Sequence, residues 1–305
     1  MLGSGPDDGD VLEMGPDKPR RGWAIGRRGR LALAGACALL AVGGTLVGLR
    51  LSSSGPADPA LARLITEVTT VPVSAVGSGG AGTYSGELLS PDSSAGSASS
   101  STLLFDGFPS PTGANGRPLS SGGKPEVLYV ATEYCPFCAA QSWPLIIALS
   151  RFGEFSGLGT SRSPTFDKIP PIDGWTFYGS SYKSPYLAFA PVETYSNVLV
   201  NRKADPADPA SYRRLQRLTT AEQAVFRAFD GGGQTPFTDF GGRAAAVGSD
   251  IIPATLAGLT WSQIAADLRR PASTAGAAIL FSATVLTAEL CQLTGDRPAT
   301  ACTKR

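Results

Sequence analysis

The chain has 305 residues, a formal net charge of +1 and 17% charged residues, so it is long enough for one large domain or two small ones. This charge balance gives no support to nucleic acid as a partner. The chain contains no histidine, which excludes mechanisms that use an imidazole base and metal sites that use histidine ligands. Proton transfer must therefore rely on carboxylates, lysine, tyrosine, thiols or water.

An apolar segment near the N-terminus predicts a membrane anchor. Residues 1–30 are polar and end in a basic cluster, and residues 31–49 read LALAGACALLAVGGTLVGL without a charge. About twenty apolar residues cross a bilayer as a helix, and basic residues before such a run keep that side in the cytoplasm. We predict a cytoplasmic tail at 1–30, one transmembrane anchor in the lipid bilayer at 31–49, and an extracytoplasmic remainder. A cleaved signal peptide is the alternative.

Two regions follow the apolar run. Residues 50–123 are rich in serine, glycine, alanine and proline, which predicts an extracytoplasmic linker with one short helix and a short strand. Residues 124–305 are predicted to form the folded domain, with an insertion rich in aromatic residues and proline at about 153–233.

Strands and helices alternate along this domain, which predicts an α/β or α+β structure. Strands are predicted at 126–131, 174–178 and 186–190, and helices at 139–152, 211–217, 221–229, 261–270 and 275–293. We expect the helix at 139–152 to join two parallel strands, and Thr220 and Gln223 are spaced as a capping box. The last helix has no charge from 272 to 288, so a second membrane span is an alternative to a packed core helix.

The sequence Cys135-Pro136-Phe137-Cys138 carries the strongest chemical signal, because it lies directly between a predicted strand and a predicted helix. Disulfide exchange needs a thiolate that attacks and a second thiol that resolves the mixed disulfide. At the exposed start of a helix, unpaired amides and the helix dipole stabilise the first thiolate, and Pro136 suits the first turn. We predict that Cys135 is the nucleophile and that Cys138 resolves.

The segment VLYVATEYCPFCA resembles the active-site segment of the thioredoxin superfamily. Together with the anchored N-terminus, ALSRFG, YLAFAPVETY and the paired C-terminal cysteines, it is similar to a prokaryotic membrane-anchored family catalogued as domain of unknown function 929, over roughly residues 60–303. The resemblance implies a thioredoxin-like fold, that is, a central sheet flanked by helices, here with an insertion and after one transmembrane helix. We expect no cofactor and no metal.

The same resemblance implies a cis-proline that faces the dithiol and docks substrate. Thr235-Pro236, at the start of a predicted strand, is similar to that segment. We expect Thr235 and Pro236, with Pro136 and Phe137, to form the substrate-docking surface. The alternative is a proline in an ordinary turn that opens a strand.

Glu133, two residues before Cys135, is the nearest acid in the sequence. We predict it as a candidate proton relay for Cys138. An exposed glutamate at a strand end is the alternative, and it is at least as common.

The remaining cysteines near the C-terminus, Cys291 and Cys302, are predicted to form a structural disulfide. A zinc site that joins them to Cys135 and Cys138 is the alternative, but their spacing is unlike that of a zinc knuckle.

We expect a membrane-anchored thiol–disulfide oxidoreductase that forms, isomerises or reduces disulfides in exported cysteine-containing proteins, together with a membrane or extracytoplasmic redox partner. The alternative is a redox-inactive thioredoxin-like binding module in which CPFC is a structural disulfide.

Overall fold

The computed structural model describes residues 58–73, 118–165, 169–201, 203–230, 233–270 and 272–302. The predicted cytoplasmic tail, the predicted transmembrane segment and most of the predicted linker lie outside these residues. The helices are α1 (Pro59–Thr69), α2 (Pro136–Ser150), α3 (Thr220–Asp230), α4 (Trp261–Asp267) and α5 (Thr274–Thr294). The strands are β1 (Ser120–Ser121), β2 (Lys124–Ala131), β3 (Glu154–Ser156), β4 (Gly159–Arg162), β5 (Asp173–Thr176), β6 (Ser181–Lys183), β7 (Ala188–Glu193), β8 (Tyr195–Leu199), β9 (Tyr212–Arg214), β10 (Phe237–Phe240) and β11 (Ala244–Val247).

The central sheet is mixed, and its main order is β7–β2–β10–β11. β7 is parallel to β2, whereas β10 is antiparallel to both β2 and β11. β1 pairs with the first two residues of β2. Because α2 lies between β2 and β7 in the chain, the predicted parallel pair joined by a helix is present, and the described domain is a mixed α/β structure.

β2 is buried on both faces, which explains why its apolar run is nearly continuous. Tyr129 and Ala131 belong to a large core that includes residues of α2 and α5. Leu128 and Val130, which point to the other face, belong to a smaller core with Val225 of α3. Helices therefore cover both faces of the strand that leads into CPFC.

Within the described residues, three small two-stranded sheets lie outside the central sheet: β3–β6, β4–β5 and β8–β9. The first two come before β7 in the chain and the third comes after it. The predicted insertion at 153–233 is therefore not one piece, because β7 lies inside that range and pairs along its whole length with β2.

Two local predictions in this region are wrong. The segment 211–217, predicted as a helix, contains β9, which pairs with β8. The capping box of α3 is formed one residue earlier than predicted: Thr219 N–H donates to Glu222 Oε2 at 2.6 Å, and Glu222 N–H donates to Thr219 Oγ1 at 3.3 Å. Pairing with β8 accounts for the first difference, whereas the second is a shift of one residue at the same helix start.

α5 is the one helix in the described part of the chain that is long and apolar enough to cross a membrane. However, 67% of its most apolar window is buried within the domain. Ile279 and Leu286 belong to the large core, and Arg151 at the end of α2 donates a hydrogen bond to Thr287. This burial favours the packed core helix over a second membrane span.

Candidate dithiol site

The CPFC motif lies at the junction of β2 and α2. Cys135 is the N-cap residue of α2 and Pro136 is in its first turn. The backbone N–H of Cys138 donates to Cys135 Sγ at 3.4 Å, and both cysteines are free thiols. Cys135 is 9% exposed and Cys138 is 4% exposed. Cys135 is less open than the sequence predicts, because a capping Sγ turns back onto the helix amides.

The surroundings shift the two thiols in opposite directions. The hydrogen bond from the Cys138 thiol, helped by the backbone N–H groups of Cys138 and Phe137, lowers the pKa of Cys135 despite its burial. Burial raises the pKa of Cys138 well above its ordinary value, and the neighbouring Cys135 raises it further. Cys135 is therefore the more acidic of the two thiols.

The Thr235–Pro236 segment lies against Cys135. Its peptide bond is cis, and β10 begins at the next residue. The Thr235 carbonyl accepts a hydrogen bond from Cys135 Sγ at 3.7 Å, across a sequence separation of 100 residues. Gly248 N–H donates to the Pro236 carbonyl at 2.7 Å, which ties this segment to the end of β11.

The predicted docking residues differ in accessibility. Phe137 is 39% exposed, Thr235 is half-buried and Pro236 is buried. Val247, which was not among the predicted residues, lies opposite Phe237 in the β10–β11 register and is 43% exposed. Pro136 is buried in the first turn of α2, so it shapes the site from inside and does not present a surface.

The β8–β9 sheet places aromatic rings beside the residue that precedes Cys135. Tyr134 stacks on Tyr212 with ring centroids 4.3 Å apart and planes 12° apart. The Arg214 guanidinium lies 4.5 Å from the ring centroid of Tyr195. β9, in a segment whose sequence predicts a helix, therefore forms one flank of the site.

Glu133 is half-buried and is held by two hydrogen bonds. Thr176 Oγ1 donates to its Oε1 at 2.8 Å, and Asn197 N–H donates to its Oε2 at 3.3 Å. The carboxylate is therefore anchored at a cavity and is not the freely exposed glutamate of the alternative, while the proton-relay role stays a prediction. We call this cavity the rear cavity; it is lined by Thr132, Glu133, Cys138, Ala139, Ser161, Trp175 and Glu193.

Glu193 is a second acid at the site. It ends β7, is 3% exposed, and accepts a hydrogen bond from Phe177 N–H at 3.4 Å. Burial raises its pKa to about 8, and the charges of Glu133 and Cys135 contribute to the increase. Because the rear cavity lies between Cys138 and Glu193, this acid is placed at the buried side of the dithiol.

Sequence reasoning missed Glu193 because it lies far along the chain from CPFC. The parallel register pairs Glu193 with Ala131, the last residue of β2, so both strands deliver their ends to the same edge of the sheet. A usable signal was present: an acid three residues after the predicted strand at 186–190, since a strand that follows the helix after CPFC can pair in parallel with the strand before it.

The rear cavity is closed by β5, which is fixed to the first half of α2. Trp143 Nε1 donates to the Asp173 carbonyl at 2.9 Å, and Trp175 N–H donates to Ser142 Oγ at 2.9 Å. Gly174 approaches Ala139 so closely that a Cβ atom would lie 2.6 Å from the Ala139 backbone. A glycine is therefore required where the strand crosses the helix that carries the dithiol.

The C-terminal cysteines are separate from this site. Cys291, near the end of α5, is joined to Cys302 by a disulfide. Two of the four thiolates that the zinc alternative needs are thus bonded to each other. Neither residue lines the rear cavity.

These features define a mixed α/β domain with a free dithiol at the start of a helix and a buried carboxyl group behind it. A family model described as Domain of unknown function (DUF929) matches residues 110–204, which confirms the resemblance to that family over this segment. The matched segment contains β2, CPFC, Glu133 and Glu193, whereas Pro236 and the C-terminal disulfide lie outside it. Comparisons with curated proteins and with solved structures gave no significant match.

Proposed function

We propose that this protein is a thiol–disulfide oxidoreductase of thioredoxin-like fold whose reactive pair is Cys135 and Cys138. The observation that carries the proposal is the helix N-cap position of Cys135, where hydrogen bonds lower its pKa while burial raises that of Cys138. A central sheet flanked by helices, with Thr235–Pro236 against the dithiol, supports the fold assignment.

The exchange has two steps. The Cys135 thiolate attacks one sulfur of a substrate disulfide, the S–S bond of the substrate breaks, and the first substrate thiolate leaves. Cys138, after losing its proton, attacks Cys135 Sγ, so that the Cys135–Cys138 disulfide forms and the second substrate thiolate leaves. Two electrons pass to the substrate, and the reverse sequence oxidises a substrate dithiol. The same pair therefore serves disulfide formation, isomerisation or reduction.

The proposed substrates are exported cysteine-containing proteins, and the proposed location is the outer side of the cell membrane, with residues 31–49 as the anchor. The Cys291–Cys302 disulfide supports this location, because structural disulfides persist in oxidising compartments. After each exchange, a membrane or extracytoplasmic redox partner would return Cys135 and Cys138 to the redox state from which they react.

Turnover of a disulfide-bonded peptide tests this proposal. The full chain in detergent, with dithiothreitol as the electron donor, should reduce the peptide catalytically. Cys135→Ser should lose essentially all turnover because no nucleophile remains at the helix start. The double variant Cys291→Ser/Cys302→Ser is the matched control and should keep turnover. A folded wild-type protein that exchanges with neither peptide disulfides nor peptide dithiols would instead support the binding module.

A further inference from the structure

A buried glutamine lies one helical turn along α2 from the dithiol. Gln141 comes three residues after Cys138 and is 2% exposed, in a stretch of α2 that is buried at every residue from Cys138 to Leu149. Burying an amide costs free energy unless hydrogen bonds compensate for the lost water. Because such bonds have few good geometries, a satisfied buried amide fixes the position of the segment that it contacts.

The Gln141 side chain holds the loop that follows β11, residues 248–251, which we call the β11 loop. Gln141 Oε1 accepts hydrogen bonds from Ser249 Oγ at 3.0 Å and from the Asp250 backbone N–H at 3.2 Å. Ser282 Oγ of α5 donates to Asp250 Oδ2 at 2.9 Å. Burial raises the pKa of Asp250, and hydrogen bonds from Ser282 and Gln141 oppose this increase. The β11 loop is therefore bonded to both α2 and α5.

The β11 loop also contacts the segment that faces the dithiol. Gly248 has a φ of 89°, a conformation that glycine adopts without strain, and its N–H donates to the Pro236 carbonyl at 2.7 Å. The carbonyl of the preceding residue, Thr235, accepts the hydrogen bond from Cys135 Sγ at 3.7 Å. The contacts thus run from α2 through Gln141 and the β11 loop to the Thr235–Pro236 segment, and from there back to the N-cap of α2.

The central sheet alone does not define where this segment lies. β10 pairs with β2 and with β11 from Phe237 onwards, so Thr235 and Pro236 come before the paired part of the strand. On β11, the residue opposite Phe237 is Val247, and Gly248 is the next residue. The bond from Gly248 to Pro236 extends the β10–β11 ladder by one step, and the position of the β11 loop decides where this step lies.

Building on the proposed function, we propose that Gln141 is a positioning residue for substrate docking. Its amide fixes the β11 loop, and the loop fixes the Thr235–Pro236 segment beside Cys135, where the backbone of a substrate chain would bind. Because Gln141 acts through the loop and not on sulfur, it favours substrates that have a peptide backbone. A small aromatic disulfide, which has no backbone to dock, should react independently of Gln141.

Two disulfides of different kinds test this proposal in the full chain in detergent. With a disulfide-bonded peptide and saturating dithiothreitol, Gln141→Ala should raise KM about tenfold, the size of effect expected when one well-placed interaction is lost. The kcat should stay within about twofold, because uniform binding is removed and the reaction at sulfur is not. With dithiobis(nitrobenzoate), the first release of nitrothiobenzoate by the reduced protein should keep its rate. Cys37→Ser in all samples removes the thiol of the N-terminal apolar run.

A rescue variant distinguishes positioning from packing. Gln141→Glu/Asp250→Asn exchanges the amide and the carboxylate of the pair, so the two side chains can again bond to each other and the β11 loop is held. Its KM for the peptide should return close to that of the parent. Gln141→Glu alone places a second carboxylate beside Asp250 and should keep the raised KM. Failure of the folded double variant to recover the KM would contradict the proposed hydrogen-bond path.

Ser184→Ala is the matched control for lost stability. Ser184 is 4% exposed and donates to the Phe152 carbonyl at 2.6 Å, but it lies before β7, at the end of the sheet away from CPFC. This variant should melt at a lower temperature and keep the parent's KM. Ser249→Ala removes one of the two bonds to Gln141 and should raise KM by a smaller factor, which tests the proposal even if Gln141→Ala does not fold.

The outcomes separate this inference from the proposed function. An unchanged peptide KM in folded Gln141→Ala, or equal losses of rate with the peptide and with dithiobis(nitrobenzoate), would overturn the inference. A parent that neither reduces the peptide nor releases nitrothiobenzoate would instead overturn the proposed function, because both reactions begin with attack by Cys135.

Discussion

The two cysteine pairs of this domain occupy opposite ends of helices. Cys135 caps the N-terminus of α2, where its Sγ accepts the Cys138 N–H, and both thiols are free. Cys291 lies in the last turn of α5 and is bonded to Cys302 in the loop that follows. Helix N-termini stabilise a thiolate, whereas the carbonyls at a helix C-terminus oppose one. Position on a helix therefore separates the proposed reactive pair from the structural one.

The neighbours of each pair strengthen this contrast. Around CPFC lie the Thr235 carbonyl, the rim carboxylate Glu133 and the buried Glu193, which are groups that can exchange protons or meet a substrate. Around Cys291 lies the packed core of α5, and Asp296 N–H donates to the Cys291 carbonyl at 2.8 Å to close the helix. The second pair fastens the segment that follows α5 to the end of that helix.

The largest expected effect is a difference in thiol reactivity within the first pair. In Cys138→Ser, the remaining Cys135 should react with iodoacetamide at neutral pH at least about tenfold faster than Cys138 does in Cys135→Ser, because one pKa unit changes the thiolate fraction tenfold. Mass spectrometry of quenched samples gives both rates. Equal rates would show that the helix N-terminus does not distinguish the two sulfurs.

The next prediction is a loss of stability when the structural disulfide is removed. Cys291→Ser/Cys302→Ser should lower the free energy of unfolding by about 2–3 kcal/mol, because the short loop gains conformational entropy in the unfolded chain. Denaturant unfolding under non-reducing conditions measures this loss. Loss of dithiol exchange in the folded double variant would place Cys291 and Cys302 in the mechanism.

The smallest effect tests the aromatic flank of CPFC. A double-mutant cycle with Tyr134→Leu and Tyr212→Leu should give a coupling energy of about 0.5–1.5 kcal/mol, the usual value for a stacked aromatic pair. The cycle removes one contact at a time, so a coupling near zero would mean that β9 does not support the residue before Cys135. The Cys291–Cys302 disulfide should remain intact in Tyr134→Leu, in Tyr212→Leu and in the variant that carries both changes.

Local signals in the sequence were sufficient for the elements that depend on local interactions. The strand before CPFC, the helix after it and α4 were all predicted close to where the structure has them. In each of these elements the signal is local: a capping residue, a proline in the first turn or an apolar run lies within a few residues of the structure that it predicts. The C-terminal helix α5 was also predicted from its local sequence, although its composition was compatible with both a core helix and a second membrane span.

Contacts between distant segments were not predictable in the same way. The segment at 211–217 has helix-forming composition, but pairing with β8 and stacking of Tyr212 on Tyr134 make it a strand. Glu193 reaches the dithiol only through the parallel register of β7 and β2. Ser161 and Trp175 reach it only because β5 packs on α2. The chemical surroundings of the thiols are therefore a product of the tertiary fold.

Trapping of a mixed disulfide tests the central claim most directly. Cys138→Ser, incubated in the full chain with a disulfide-bonded peptide, should accumulate a covalent adduct through Cys135, because no second thiol remains to release it. Cys135→Ser should accumulate almost none. Non-reducing gels and mass mapping of the adduct identify the linked cysteine. An adduct in Cys135→Ser but not in Cys138→Ser would reverse the two roles, and no adduct in either folded variant would contradict a reactive CPFC dithiol.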